Sequence, residues 1–156
     1  MEPLIILIVV TLVLASIRRF RPWPLALRGG VAAMFTATGI AHFVGIRAEL
    51  VSMVPPALPA PGLLVTLTGI LELAGAVGVL WPRTTTWAAG GLSALLVVMF
   101  PANVYAAVNH LLPEWHSQLV PRTVMQVVFL AATLTVFVHA RRSDQALANR
   151  PAHSPS

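Results

Sequence analysis

The sequence predicts an all-α integral membrane protein: a four-helix transmembrane bundle plus an N-terminal transmembrane helix, five spans in all. Three observations carry this. Of 156 residues, 57% are hydrophobic and only 10% charged, against about a quarter charged in soluble domains. A soluble chain of this length could bury one core but could not cover it with so few charges. The apolar residues gather into five runs close to the ~20 residues that a bilayer-spanning helix needs. The basic residues are all arginine and flank those runs, which is the pattern of membrane topology rather than of a nucleic-acid surface. There is no cysteine, so disulfides, thiolate metal sites and dithiol redox chemistry within the chain are excluded.

The first span is expected over residues 3–20, beginning "PLIILIVVTLVLASI". It is short, about 22 Å for its purely apolar part. Glu2 precedes it and Arg18 and Arg19 follow it. That is the reverse of a secretory signal's charge order, so it reads as a retained helix. The second span is 29–46, "GGVAAMFTATGIAHFVGI", and the third is 62–81, "GLLVTLTGILELAGAVGVLW". The fourth is 86–109 and the fifth is 119–140, "LVPRTVMQVVFLAATLTVFVHA". Residues 1–28 are thus an N-terminal span with a basic loop, and 29–140 a four-helix membrane domain. Residues 141–156, "RRSDQALANRPAHSPS", are expected to be a disordered cytoplasmic tail.

Arginine bias sets the orientation. Arg18, Arg19, Arg21, Arg28, Arg83, Arg141, Arg142 and Arg150 fall on one side of a five-span chain, and Arg47 and Arg122 on the other. The positive-inside rule then places the N-terminus outside and the C-terminus in the cytoplasm. Trp23, Trp81, Trp87 and Trp115 fall at span ends, as an aromatic belt should. The outer segment 47–61, "RAELVSMVPPALPAP", is stiffened by its prolines. It is either a short element folded over the mouth of the bundle or a rigid connector.

The polar residues inside the runs are the candidate site. Glu72 is the only acid within a span, and it sits near the bilayer midplane. A charged group there costs on the order of 3 kcal/mol or more, so it faces the bundle and is either protonated or paired. His42 and Asn103 lie near the outer ends of spans two and four. Helical side chains tilt toward the helix N-terminus, which brings His42, Glu72 and Asn103 to a similar depth. Thr38 shares a face with His42, and Thr68 with Glu72, by i,i+4 spacing. Arg122, Gln126 and Thr133 form a stripe on span five. Arg122 either snorkels to the headgroups or serves as counter-ion to Glu72. Gly69, Gly75, Ala76, Gly78, Gly90, Gly91 and Ala94 allow close helix approach. Pro101 frees the carbonyl of Val97 and kinks span four. The kink is either structural or the opening of a cavity that Asn103 lines with Glu72 and His42.

The motifs "TGIAHF", "VPPALPAPGLLVTLTGILELAGAVGVLWPRT", "FPANVYAA" and "PRTVMQVVF", in this order and spacing, resemble the DoxX family of small bacterial membrane proteins. The resemblance covers roughly residues 28–140. It implies a four-helix core in a bacterial cytoplasmic membrane, with the first span as an extension. The family takes its name from a small subunit of a thiosulfate:quinone oxidoreductase. Its recurrent polar positions fall here on His42, Glu72, Pro101, Asn103 and Gln126. Some relatives in the wider group work with thiol redox partners, chemistry that a cysteine-free chain does not itself carry.

Three functional classes follow. The first is a membrane subunit or a binder of a lipophilic small molecule linked to redox metabolism, with a quinone as the candidate ligand. A buried carboxylate beside a histidine suits proton exchange with a quinone. The second is a purely structural or assembly protein, its polar groups holding the bundle by hydrogen bonds of about 1 kcal/mol each. The third is an integral membrane enzyme using Glu72 and His42 as acid and base. A transporter has less support, because no inverted repeat is visible. His110, Glu114 and His116 in "NHLLPEWH" fit no standard metal spacing, so no metal is assigned. Haem ligation by His42 with His110 is weaker still. The expected partners are the lipid bilayer and a redox-enzyme subunit or lipophilic ligand, with no nucleic acid.

Overall fold

The computed structural model describes residues 2–17, 23–109, 111 and 119–149. Among these the chain forms six helices and no strand: α1 (Glu2–Ser16), α2 (Trp23–Ala41), α3 (Arg47–Ser52), α4 (Pro61–Leu80), α5 (Thr85–Val108) and α6 (Leu119–Ala148). Three of them, α4, α5 and α6, are long and apolar enough to cross a membrane. The helix α1 is strongly apolar after Glu2 but has only 15 residues, about 22 Å.

The expected third and fourth spans match α4 and α5 to within a residue at each end. Local chemistry explains these limits. Pro61 occupies the first helical position of α4 behind Ala60, where a missing N–H costs nothing. Trp81 is extended at its other end, as a residue preceding proline prefers to be.

The helix expected over the second apolar run is displaced. It was expected at 29–46, but α2 begins at Trp23 and ends at Ala41. Pro24 sits in its first turn, where proline is tolerated. Arg28 does not end the helix, because its guanidinium donates to the carbonyls of Val79 at 2.9 Å and Leu80 at 3.2 Å and to Thr85 Oγ1 at 2.8 Å. These carbonyls lie at the C-terminus of α4, where the helix dipole favours a cation. Beyond Ala41 the chain turns, and Gly45 takes a φ of 71°, a conformation open to glycine.

The fifth span also runs on. The helix α6 continues to Ala148, so residues 141–148 are helical where a disordered tail was expected. No proline or glycine interrupts the chain there, and Asp144 accepts a bond from Thr86 Oγ1 at 2.7 Å. Arg18, Arg19, Arg21, His110, Glu114, Trp115, His116 and residues 150–156 lie outside the described residues.

The helices α2, α4, α5 and α6 pack in sequence, and α6 returns to α2 with a lighter contact. The helix α1 packs on α2. Gly30 permits that approach: a Cβ there would meet the backbone oxygen of Leu7 at 2.8 Å. The core is built by Val31, Met34 and Phe35 of α2, Val79 of α4, Leu92 of α5 and Val136 of α6. Outward faces are apolar too, as at Leu12, Val77 and Val98. The segment after α2 is no plain connector, since α3 packs on α4 and Met53 is buried.

Candidate functional site

The α2–α4 seam holds the buried carboxylate. Glu72 and His42 are each 4% exposed. Thr38 Oγ1 donates to Glu72 Oε2 at 2.6 Å, and His42 Nδ1 stands 4.0 Å from the same oxygen. The i,i+4 relation of Thr38 and His42 on α2 delivers both side chains to one carboxylate on α4, as their spacing suggested. His42 Nδ1 lies 2.9 Å from the carbonyl oxygen of Thr38. A carbonyl only accepts, so Nδ1 carries the hydrogen and aims it at its own helix. The imidazole is therefore next to Glu72 without being hydrogen-bonded to it.

Two glycines bring the backbones close enough for this. A Cβ on Gly69 would stand 2.5 Å from His42 Cβ, and one on Gly39 would stand 2.8 Å from Leu73 Cγ and 3.3 Å from Glu72 Cβ. Arginines clasp the seam at both ends. Arg28 binds the C-terminus of α4 as described. Arg47 donates to the His42 carbonyl at 2.8 Å, the Gly62 carbonyl at 3.1 Å and Thr66 Oγ1 at 2.9 Å. It thereby ties the end of α2 to the start of α4.

The other expected site residues belong to the α5–α6 seam. Arg122 Nη1 donates to Asn103 Oδ1 at 2.9 Å. Gln126 Nε2 donates to the Leu96 carbonyl at 2.6 Å. Deeper in the seam Ser93 Oγ donates to Thr133 Oγ1 at 2.9 Å. The expectation of one cluster is thus corrected to two. Thr38, His42 and Glu72 meet; Asn103 makes no hydrogen bond or ion pair with either His42 or Glu72 and takes Arg122 instead. The ionisable neighbour of Glu72 is His42, at 4.0 Å, and Arg122 is bonded to Asn103. Pro101 is exposed and lies inside α5. The carbonyl near it that receives a side-chain donor is that of Leu96, one residue before the Val97 carbonyl that proline frees.

In the sequence Arg28 and Arg47 read only as topology markers, and Gly39 carries no signal of its own. A weak signal existed for Arg47, which lies against the charge bias and has Thr66 one helical turn into α4.

Among the described residues no group of three or more histidines, cysteines and acids is placed to hold a metal. No buried side-chain nitrogen or oxygen among them lacks a hydrogen-bond partner.

The family described as "Domain of unknown function (DUF8561)" matches residues 31–138, which is more than half of the chain. The chain belongs to the DUF8561 family. No curated protein and no solved structure matches it. The matched stretch of this DUF8561 chain contains both polar seams, from Thr38 to Thr133, and leaves out α1, Arg28 and the end of α6.

Proposed function

We propose that this DUF8561 protein spans a bacterial cytoplasmic membrane five times, as a DoxX-like four-helix domain with one added N-terminal span. Its N-terminus is outside and its C-terminus cytoplasmic. In that setting it acts as a membrane subunit or binder of a lipophilic small molecule, a quinone being the candidate, linked to redox metabolism. Several observations support the topology. Three helices have spanning length and composition. Outward faces carry large apolar side chains, as lipid requires of a helix that is hydrophobic all round. Arg28, Arg83, Arg141 and Arg142 gather at the end where α4 turns into α5, and Arg47 and Arg122 lie toward the other. The DoxX likeness itself rests on the motifs quoted above.

The single observation that carries the functional proposal is the placement of Glu72: a carboxylate 4% exposed, with Thr38 and His42 on the facing helix. An ionisable group kept at this depth is expensive and marks a functional position by default. Calorimetric titration of the purified protein with a short-tailed benzoquinone tests it. Wild type is expected to bind and Glu72→Gln to lose at least tenfold in affinity. Wild-type protein that does not bind the quinone overturns the ligand assignment. Single cysteines placed at Glu49 and Arg83 test the topology, since the chain has no cysteine of its own. An impermeant maleimide added to whole cells should label the first and spare the second.

A second reading is favoured by the completeness of the hydrogen bonding. Glu72 already has a short bond from Thr38, so the cluster would serve assembly alone. In that case Glu72→Gln lowers the thermal midpoint and changes no ligand's affinity.

A further inference from the structure

A groove of about 1270 Å³ runs down the outside of the α4–α5 pair. That exceeds the roughly 300–1,000 Å³ of an ordinary small-molecule pocket. Its wall is apolar except at one end. From Trp87 to Val98 it follows α5 for about 16 Å, close to the ~15 Å hydrocarbon depth of one leaflet. Small residues hollow it out. Gly91 borders the groove with nothing within 4 Å of where its Cβ would stand.

The polar end is built differently. Trp81, Arg83 and Trp87 line it together at the α4–α5 turn, and the two indoles are 62% and 84% exposed. Arg83 is exposed and makes no hydrogen bond or ion pair among the described residues. An apolar trough one leaflet deep that ends in paired tryptophans and an unengaged guanidinium matches one ligand shape: an acyl chain joined to an anionic headgroup at the interface.

We propose that this groove binds one anionic phospholipid of the cytoplasmic leaflet, its chain against Gly91 and its phosphate at Arg83. The inference rests on the membrane orientation proposed above and is independent of Glu72. A second copy of the chain fits the groove less well. Its acids are Glu2, Glu49, Glu72, Glu114 and Asp144. Among the described residues only Asp144 is at this end, and Thr86 already holds it. A docked copy would face Arg83 with Arg28, Arg141 and Arg142 and offer it no acid.

The test is native mass spectrometry of the full chain released from nanodiscs of equal phosphatidylcholine and phosphatidylglycerol. Wild type is expected to retain one phosphatidylglycerol per chain, at least fivefold over phosphatidylcholine. Arg83→Gln should keep a lipid and lose that preference. Gly91→Phe should lose retention with an unchanged thermal midpoint, since its side chain enters open space; Gly91→Leu replaces it if the midpoint falls. Glu72→Gln should behave as wild type, which separates this site from the α2–α4 seam. No retained lipid, equal retention of both lipids by wild type, or a preference that survives Arg83→Gln overturns the proposal. So does a dimer that Gly91→Phe splits, which would make the groove an interface between copies. A chain that fails to enter the discs at all overturns the membrane topology and this inference together.

Discussion

The two polar seams of the bundle solve the same problem with different chemistry. Between α2 and α4 the backbones come close at Gly39 and Gly69. An ionisable pair sits between them, and Arg28 and Arg47 close the ends. Between α5 and α6 the contacts include neutral bonds, Ser93 to Thr133 and Gln126 to the Leu96 carbonyl, with Arg122 and Asn103 above them. The fit is also looser: a Cβ on Gly90 would stand 3.3 Å from the Phe137 ring edge. A seam held only to fasten two helices has no need of a carboxylate, because hydroxyls and amides suffice at lower desolvation cost. The α2–α4 seam carries one nonetheless, which is why the functional proposal is placed there.

The glycines offer the largest break in this comparison. Gly69→Ala is expected to cost about 1–3 kcal/mol by overpacking against His42, and Gly69→Val to prevent stable folding. Gly90→Ala should change stability by under about 1 kcal/mol, since the Phe137 ring can shift and alanine is the better helix former. Thermal midpoints in one detergent compare the pair. Equal losses at both positions would mean that the seams are equally tight.

Next comes the clasp. Arg28→Gln removes charge-assisted bonds to two carbonyls and Thr85, and is expected to cost about 1.5–3 kcal/mol. Hydrogen exchange at the amides of the α4–α5 turn should rise with it. Exchange that stays at the wild-type rate would show that the α4 terminus does not depend on Arg28.

The hydroxyl bonds sharpen the contrast further. Thr38→Val leaves a buried carboxylate without its donor and should cost about 1–3 kcal/mol. Ser93→Ala removes a neutral bond in the other seam and should cost about 0.6 kcal/mol, the average for interhelical bonds in a membrane. A Ser93 loss as large as the Thr38 loss would erase the distinction between the seams. An effect as small as that of Ser93→Ala, about 0.6 kcal/mol, is expected for Gln126→Leu, read from the same thermal midpoints. The Leu96 carbonyl it leaves is still within α5 and keeps its helical environment.

The sequence made the long helices legible because hydropathy alone decides them. It placed α4 and α5 within a residue. It misplaced α2 because a hydropathy window treats Arg28 as a stop, whereas the folded chain offers that guanidinium the carbonyls of a helix end. The run-on of α6 has a readable signal, since nothing in "RRSDQALA" breaks a helix; polarity alone does not distinguish a solvated helix from a disordered tail.

The site was half legible for a related reason. Spacing along one helix reveals shared faces, and so it paired Thr38 with His42. Depth along the bundle normal can be counted in residues, which set His42, Glu72 and Asn103 at one level. Which helix each face meets is a rotation about the axis, and no residue count encodes it. Even the depth was only approximate: Gly75 meets Leu92 and Gly78 meets Ala88, a register that sets Glu72 opposite the middle of α5, and Asn103 lies further toward the outer end, where it takes Arg122. The glycines that decide the α2–α4 approach resemble any others in an apolar run until the facing side chains are known.

The separation of the seams makes the functional claim open to one direct measurement. Native mass spectrometry of wild type, Glu72→Gln and Asn103→Ala, each extracted in mild detergent, would compare the quinone that co-purifies with each. The expected result is a bound quinone that Glu72→Gln loses while staying folded and that Asn103→Ala retains. Retention by both variants, or loss from both, would contradict a ligand seat built on the α2–α4 seam.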